Sequence, residues 1–128
     1  MEYGDLYLDV ADAFRATGQK TGNWDHVCTA LSLYEKLEEL PQFDQPAVWL
    51  STAACHHALA MSPHSPSAQH KQESLQAAIR GFERVRGQVG ANAEALTALG
   101  ELYVEVGDKG RLLETLASKG APKAPRKR

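Results

Sequence analysis

The sequence predicts an all-α fold, and three observations carry that prediction. Apolar residues recur at three- and four-residue spacing in six separate segments. Residues that start or stop helices fall between those segments. No segment reads as a strand.

The first segment runs from Asp5 to Gly18 and places Leu6, Val10, Ala13 and Phe14 on one face, with Tyr7 and Ala11 beside it. Gly18 and the polar run from Gln19 to Asn23 are expected to stop it. Asn23 can cap a second helix from Trp24 to about Leu40, whose Val27, Leu31, Tyr34, Leu37 and Leu40 keep helical spacing before Pro41. The third helix spans Gln45 to Ala60, with Pro46 in its first turn and Trp49, Ala53 and Leu59 along it. Met61 to Gln69 contains Ser-Pro-His-Ser-Pro-Ser and reads as a loop. A fourth helix from Glu73 to Gln88 presents Leu75, Ile79, Phe82 and Val85. A fifth covers Asn92 to Val106 and ends at Gly107-Asp108, and a sixth runs from Arg111 to Ala117.

Composition narrows the function classes. The chain has 128 residues, 43% hydrophobic and 23% charged, which suits about one soluble globular domain. Its apolar stretches fall far short of the ~20 residues that cross a bilayer. The start, Met1-Glu2-Tyr3-Gly4-Asp5, is acidic where a secretory signal is basic. Cys28 and Cys55 are too few for a disulfide scaffold, so a reducing compartment is the expectation. A net charge of −2 argues against a general nucleic-acid-binding body. The last ten residues differ: Lys119, Lys123, Arg126, Lys127 and Arg128 stand there without one acid.

The helices also repeat. Gly100-x-x-Tyr103-x-x-x-Gly107 sets a small residue, an aromatic three later and a turn residue four beyond. Ala11, Phe14 and Gly18 follow the same spacing, as do Ala53, His56 and Ala60. Four residues ahead of each small residue stands a larger apolar one: Tyr7, Trp49 and Leu96. The second helices align too, with Ala30, Tyr34 and Leu37 matching Ala78, Phe82 and Val85, then Leu112 and Leu116. Ala78 and Leu112 are 34 residues apart, the period of one helical-hairpin repeat. Small residues let paired helices approach closely, and bulky ones fill the space between hairpins. Gly100 is therefore expected at a helix crossing.

These residues make the chain similar to tetratricopeptide (TPR) repeat proteins over about residues 5 to 118. The resemblance implies a right-handed TPR-type superhelix of about three hairpins, occupying 1–118 and followed by a basic, disordered tail at 119–128. Its turns depart from the family pattern. From turn residue to second-helix small residue is 5 residues in the third unit, but 12 in the first and 18 in the second. Enlarged turns are expected there. The repeat-packing set is Tyr7, Ala11, Phe14, Ala30, Tyr34, Trp49, Ala53, Ala78, Phe82, Leu96, Gly100 and Tyr103. A narrower likeness covers residues 4 to 60. Asp5-Leu6-Tyr7-Leu8-Asp9-Val10-Ala11, and Ala47-Val48-Trp49-Leu50 followed by Ala53-x-Cys55, resemble the TPR subunit of general transcription factor TFIIIC. That resemblance implies a scaffold in assembly of the RNA polymerase III initiation complex, located in the nucleus, with the cytoplasm as the alternative. It carries over no catalytic residue.

Other chemistries fit less well. Cys55, His56, His57, His64 and His70 form the densest set of potential metal ligands, but adjacent helical residues diverge by about 100° and cannot share one ion unaided. Cys55 is expected to be a packed thiol. A Cys/His nucleophile lacks an orienting third group, and neither Gly18-x-x-x-Gly22 nor Gly107-Asp108-Lys109-Gly110 has phosphate-loop spacing. No catalytic residue, metal or cofactor is expected. In a TPR stack the first helix of each hairpin lines the groove, which here offers Asp5, Leu8, Asp9, Asp12, Ser51, Glu94, Ala98, Glu101 and Glu105. Six of these nine are acids and none is a base. An acidic groove suits a protein partner with a basic segment, such as another transcription-complex subunit, and not the acidic tail that a co-chaperone clamp grips. Nucleic acid is expected to touch at most the tail, and no membrane is expected. With terminal units lacking a neighbour, the chain is expected to be marginally stable or to self-associate.

Overall fold

A computed structural model describes residues 3–62, 67–90 and 92–120 of the chain. Among them are six α-helices: α1 (Tyr3–Thr21), α2 (Trp24–Glu38), α3 (Pro46–Ala60), α4 (Ala68–Val89), α5 (Ala93–Val106) and α6 (Lys109–Gly120). A 3₁₀ turn, Pro41–Phe43, lies between α2 and α3. No strand occurs among the described residues, and the fold is all-α. Each helix packs on the next in sequence, α3 most extensively on α4, and α3 also touches α5. Where a two-residue link joins packed helices, as Gly22-Asn23 joins α1 to α2, the chain must reverse direction.

Local chemistry fixes the helix ends. The Asn23 side chain accepts from the His26 amide, Ser67 from His70 (3.1 Å) and Asn92 from Ala95 (2.9 Å). Asp108 Oδ1 does the same for the Arg111 amide at 3.0 Å, so α6 opens two residues ahead of the expected Arg111. Each bond satisfies an amide that the helix start would leave open. Gly107 closes α5 at φ 78°, a left-handed conformation that costs glycine little.

The enlarged turns are largely helix. α1 runs three residues past Gly18, and α2 begins six residues before Ala30, which absorbs most of the 12-residue spacing. α4 begins at Ala68 and not near Glu73, so helix also fills much of the second long spacing. Positions 63–66 of the expected loop lie outside the described residues, as do the last eight of the basic tail. Gly18 does not end α1. It is buried under the start of α2, where an added Cβ would meet Val27 Cγ2 at 2.8 Å and the Asn23 carbonyl oxygen at 2.9 Å.

Two apolar clusters share α3 as a wall. The first joins Ala11 of α1 and Val27, Ala30, Tyr34 and Leu37 of α2 to Val48, Cys55 and Leu59 of α3. The second joins Trp49, Ala53 and Ala60 of α3 to Leu75, Ala78, Phe82 and Val85 of α4 and to Ala95, Leu99, Leu102 and Tyr103 of α5. A helix that serves two cores needs apolar residues nearly all round, as Pro-Ala-Val-Trp-Leu-Ser-Thr-Ala-Ala-Cys supplies.

Of the repeat-packing set, ten residues are buried or packed against these cores. Tyr7 and Gly100 are the differences. Tyr7 is 46% exposed, because no hairpin precedes α1 among the described residues. Gly100 is not at a crossing: a Cβ there would meet nothing within 4 Å. The close approach is instead at Gly81 of α4, where an added Cβ would sit 2.7 Å from Ala53 Cβ. Gly81→Ala is therefore expected to destabilise by about 1–3 kcal/mol through overpacking. Gly100→Ala is expected to stabilise by about 0.5–1 kcal/mol, since alanine suits a helix interior better than glycine. Urea midpoints at unchanged m-value measure both, and the two signs should differ.

Candidate functional site

The first helices of the three hairpins line one shared groove of about 760 Å³. Residues one turn apart project the same way, so each helix contributes a short row. α1 gives Arg15 and Gln19, α3 gives Ala54, His57 and Ala58, and Met61 follows α3 directly. α5 gives Glu94, Glu101, Val104 and Glu105. A side hollow of about 440 Å³ continues from it past His57 and Glu101 to Phe82 and Thr97.

The groove has two electrostatic walls. Glu94, Glu101 and Glu105 stand along α5, opposite Arg15 on α1. Lys71 Nζ of α4 lies 3.0 Å from Glu105 Oε2, which partly neutralises that end. His57 Nε2 lies 3.4 Å from Glu101 Oε1, and its ring meets Phe82 edge to face at 6.2 Å. Burial lowers the His57 pKa, with the Glu101 carboxylate opposing. His56 is lowered as well, by burial first and by the charge of Arg80 second. Both imidazoles are thus neutral near pH 7.

Of the acids expected in the groove, Glu94, Glu101 and Glu105 are brought together there. Asp5 and Asp9 are exposed on α1, outside the groove lining. Asp12 accepts a short hydrogen bond from the Tyr34 hydroxyl, and Arg15 Nε donates to the same hydroxyl at 3.2 Å. α1 is thus turned so that Asp12 faces α2. Burial and the Asp12 bond push the Tyr34 pKa up to about 12, against the pull of Arg15. Ser51 also lies outside the lining and bonds back to the Ala47 carbonyl of its own helix at 3.3 Å. Leu8 packs against the first core, and Ala98 is buried in the second while also lining the side hollow. The expectation of a groove without a base is corrected by Arg15. Sequence reasoning missed Arg15, Gln19, His57, Met61 and Val104. Arg15 and Gln19 stand one and two turns after the correctly placed Ala11, which was the available signal.

The potential metal ligands go separate ways. Cys55 is buried, and burial pushes its pKa up to about 12, so it is an inert packed thiol. His57 lines the groove, His70 is exposed on α4, and His64 lies outside the described residues. Among the described residues, no group of three or more His, Cys, Asp or Glu side chains is placed to hold a metal ion. Likewise no described helix is long and apolar enough to cross a membrane.

The far side of α3 carries a second polar constellation. Trp49 Nε1 donates to Asp44 Oδ1 at 2.7 Å, and the Arg84 guanidinium sits 3.6 Å over the Trp49 ring. Arg84 also pairs with Asp44 at 3.3 Å and reaches Glu38 at 4.0 Å, while Thr52 Oγ1 donates to Glu38 at 2.5 Å. These groups bond one another and tie α2, α3 and α4 together.

Comparison with known proteins gives no match: no protein-family model, no curated protein and no solved structure matches the chain.

The two lowered histidines set a pH dependence. Below the ordinary imidazole pKa of about 6.5 the unfolded chain takes up protons that the folded chain resists. The unfolded state then binds more protons, so stability falls as pH drops through about 6.5. Urea midpoints across this range should show the decline, and His56→Gln with His57→Gln should flatten it.

Proposed function

We propose that this chain is a protein-interaction scaffold that holds a partner segment in the groove between α1, α3 and α5. One observation carries the reading: three successive first helices turn side chains into one continuous groove, with Glu94, Glu101 and Glu105 in a row along its α5 wall. Val104 and Met61, both exposed, add apolar area among the charges. Acids interleaved with apolar groups favour a partner segment with basic side chains at matching spacing. The TPR-type stack is the architecture that fits this arrangement, and three sequential hairpins support it.

The resemblance of residues 4–60 to TFIIIC repeats extends the proposal to a nuclear scaffold for RNA polymerase III transcription complexes. An adaptor outside transcription is the second reading, and Arg15 with Gln19 favours it, since carboxylate clamps use such basic and amide groups. Three glutamates against one arginine weigh against a carboxylate ligand.

The test is affinity purification from nuclear and cytosolic extracts, followed by direct titration of the recovered partner. Recovery of RNA polymerase III initiation factors supports the transcription reading, and recovery of unrelated complexes supports the adaptor. Glu94→Lys with Glu101→Lys should weaken binding at least about tenfold, equal to roughly 1.4 kcal/mol. The affinity of the unaltered chain should fall with added salt. Binding indifferent to both treatments would remove the groove from the proposal.

A further inference from the structure

The first helix of each later hairpin buries the same register positions in the hairpin ahead of it. On α3 these are Val48 and Cys55, packed with α2, with half-buried Thr52 between them bonded to Glu38 of α2. On α5 they are Ala95, Leu99 and Leu102, packed with α3 and α4. The register that aligns Ala11 with Ala53 and Gly100 assigns Leu6, Val10 and Ala13 to the same positions on α1. Leu6 is 48% exposed and Val10 37%, whereas Val48 and Leu99 are 1% and 0%. Beside Val10 and Ala13 lies an apolar hollow of about 230 Å³, completed by Phe14, Thr17 and His26, with room for an aliphatic side chain.

The last described hairpin has the converse deficit. Leu113 and Leu116 stand 34 residues after Ile79 and Phe82. Ile79 and Phe82 are 4% and 1% exposed, but Leu113 and Leu116 are 66% and 53%. Among the described residues, α1 thus presents an inserting face that nothing receives, and α6 a receiving face that nothing fills. The charges nearest the centres of the two faces are opposite in sign, exposed Glu114 standing about 100° round α6 from Leu113. Exposed Asp5 and Asp9 flank Leu6 and Val10, and exposed Lys109 lies one turn before Leu113 on the same face.

We propose that the α6 face receives α1 of a second copy of this chain, so that copies associate head to tail and continue the helix stack. The contact repeats between molecules the packing that α2 makes with α3, and α4 with α5, within one molecule. It is heterologous, so it leaves both ends of a dimer available for further addition. It lies outside the glutamate-lined groove and is independent of what that groove holds.

Sedimentation over a wide concentration range tests this on the full chain. The unaltered chain should show a mass that rises with concentration past that of a dimer. Leu6→Glu with Val10→Glu blocks the inserting face, and Leu113→Glu with Leu116→Glu blocks the receiving face. All four residues are exposed, so the helical circular dichroism should persist. If a double variant loses it, Val10→Glu and Leu113→Glu alone serve the same comparison. Each variant alone should lose its concentration dependence and sediment as a monomer. An equimolar mixture of the two should form a dimer and nothing larger, because one good face of each kind remains. Glu94→Lys with Glu101→Lys should leave association unchanged. A monomeric unaltered chain, a blocked variant that still associates, or a mixture that stays monomeric would each overturn the proposal.

Discussion

The architecture depends on how closely α3 and α4 approach at Ala53 and Gly81. An added Cβ at Gly81 would lie 2.7 Å from Ala53 Cβ, so the two helices meet there with almost no side chain between them. That separation lets Leu75, Phe82 and Val85 of α4 reach the same core as Trp49 and Ala60 of α3. Dispersion falls off steeply with distance, so a small outward shift would forfeit a large share of those contacts at once. The polar groups around Trp49 and Arg84 close over one edge of the same junction. Core packing therefore sets the geometry, and the ionic groups follow it.

Electrostatics shows the same subordination. Tyr34 binds Asp12 and Arg15, while Tyr103 donates to Glu83 at 2.5 Å, with Arg111 Nη1 on the same carboxylate at 2.9 Å. In the first trio the hydroxyl sits between a carboxylate and a guanidinium, and in the second the carboxylate is shared by the hydroxyl and the guanidinium, each at a seam between neighbouring helices. Burying a phenol is tolerable when its hydroxyl is bonded. These bonds satisfy the ends of the two largest fully buried side chains. Asp12 is thereby committed to a seam and withdrawn from the groove.

Much of the fold was legible in the sequence because its signals are local. Asn23, Asn92, Pro46 and Gly107 act within one turn of their own positions, and each marks a helix end in the structure. Periodicity likewise found buried residues of α2 (Val27, Tyr34, Leu37) and α4, but Leu40, expected in α2, follows its end at Glu38 and is 39% exposed. What it could not supply is how far each helix is rotated against its neighbours. Asp12 and Arg15 are three residues apart on α1 and both bond the Tyr34 hydroxyl, yet only Arg15 also lines the groove, which the orientation of α1 on α2 decides. Gly18 shows the same limit: it reads as a stop, yet it lies inside α1 and serves close packing against the start of α2. Gly81 was hidden because the repeat pattern pointed to Gly100. The α5 wall of the groove was legible since Glu94, Glu101 and Glu105 project from one face of a single helix. The α1 wall was not, because it required the orientation of α1 on α2.

The two-sided burial of α3 bears on how the molecule comes apart. In stacked-repeat proteins, stability is a sum of terms within each unit and terms between neighbours, and weak neighbour terms allow units to open one at a time. Here Val48, Cys55 and Leu59 belong to one cluster, and Trp49, Ala53 and Ala60 to the other, on a single 15-residue helix. Neither cluster can be exposed without removing a wall of the other. The neighbour term is thus built into a shared element, and unfolding is expected to be cooperative across the boundary between the two clusters. Opening is expected to begin at an outer helix, and α6, which packs mainly on α5, is the less extensively packed candidate.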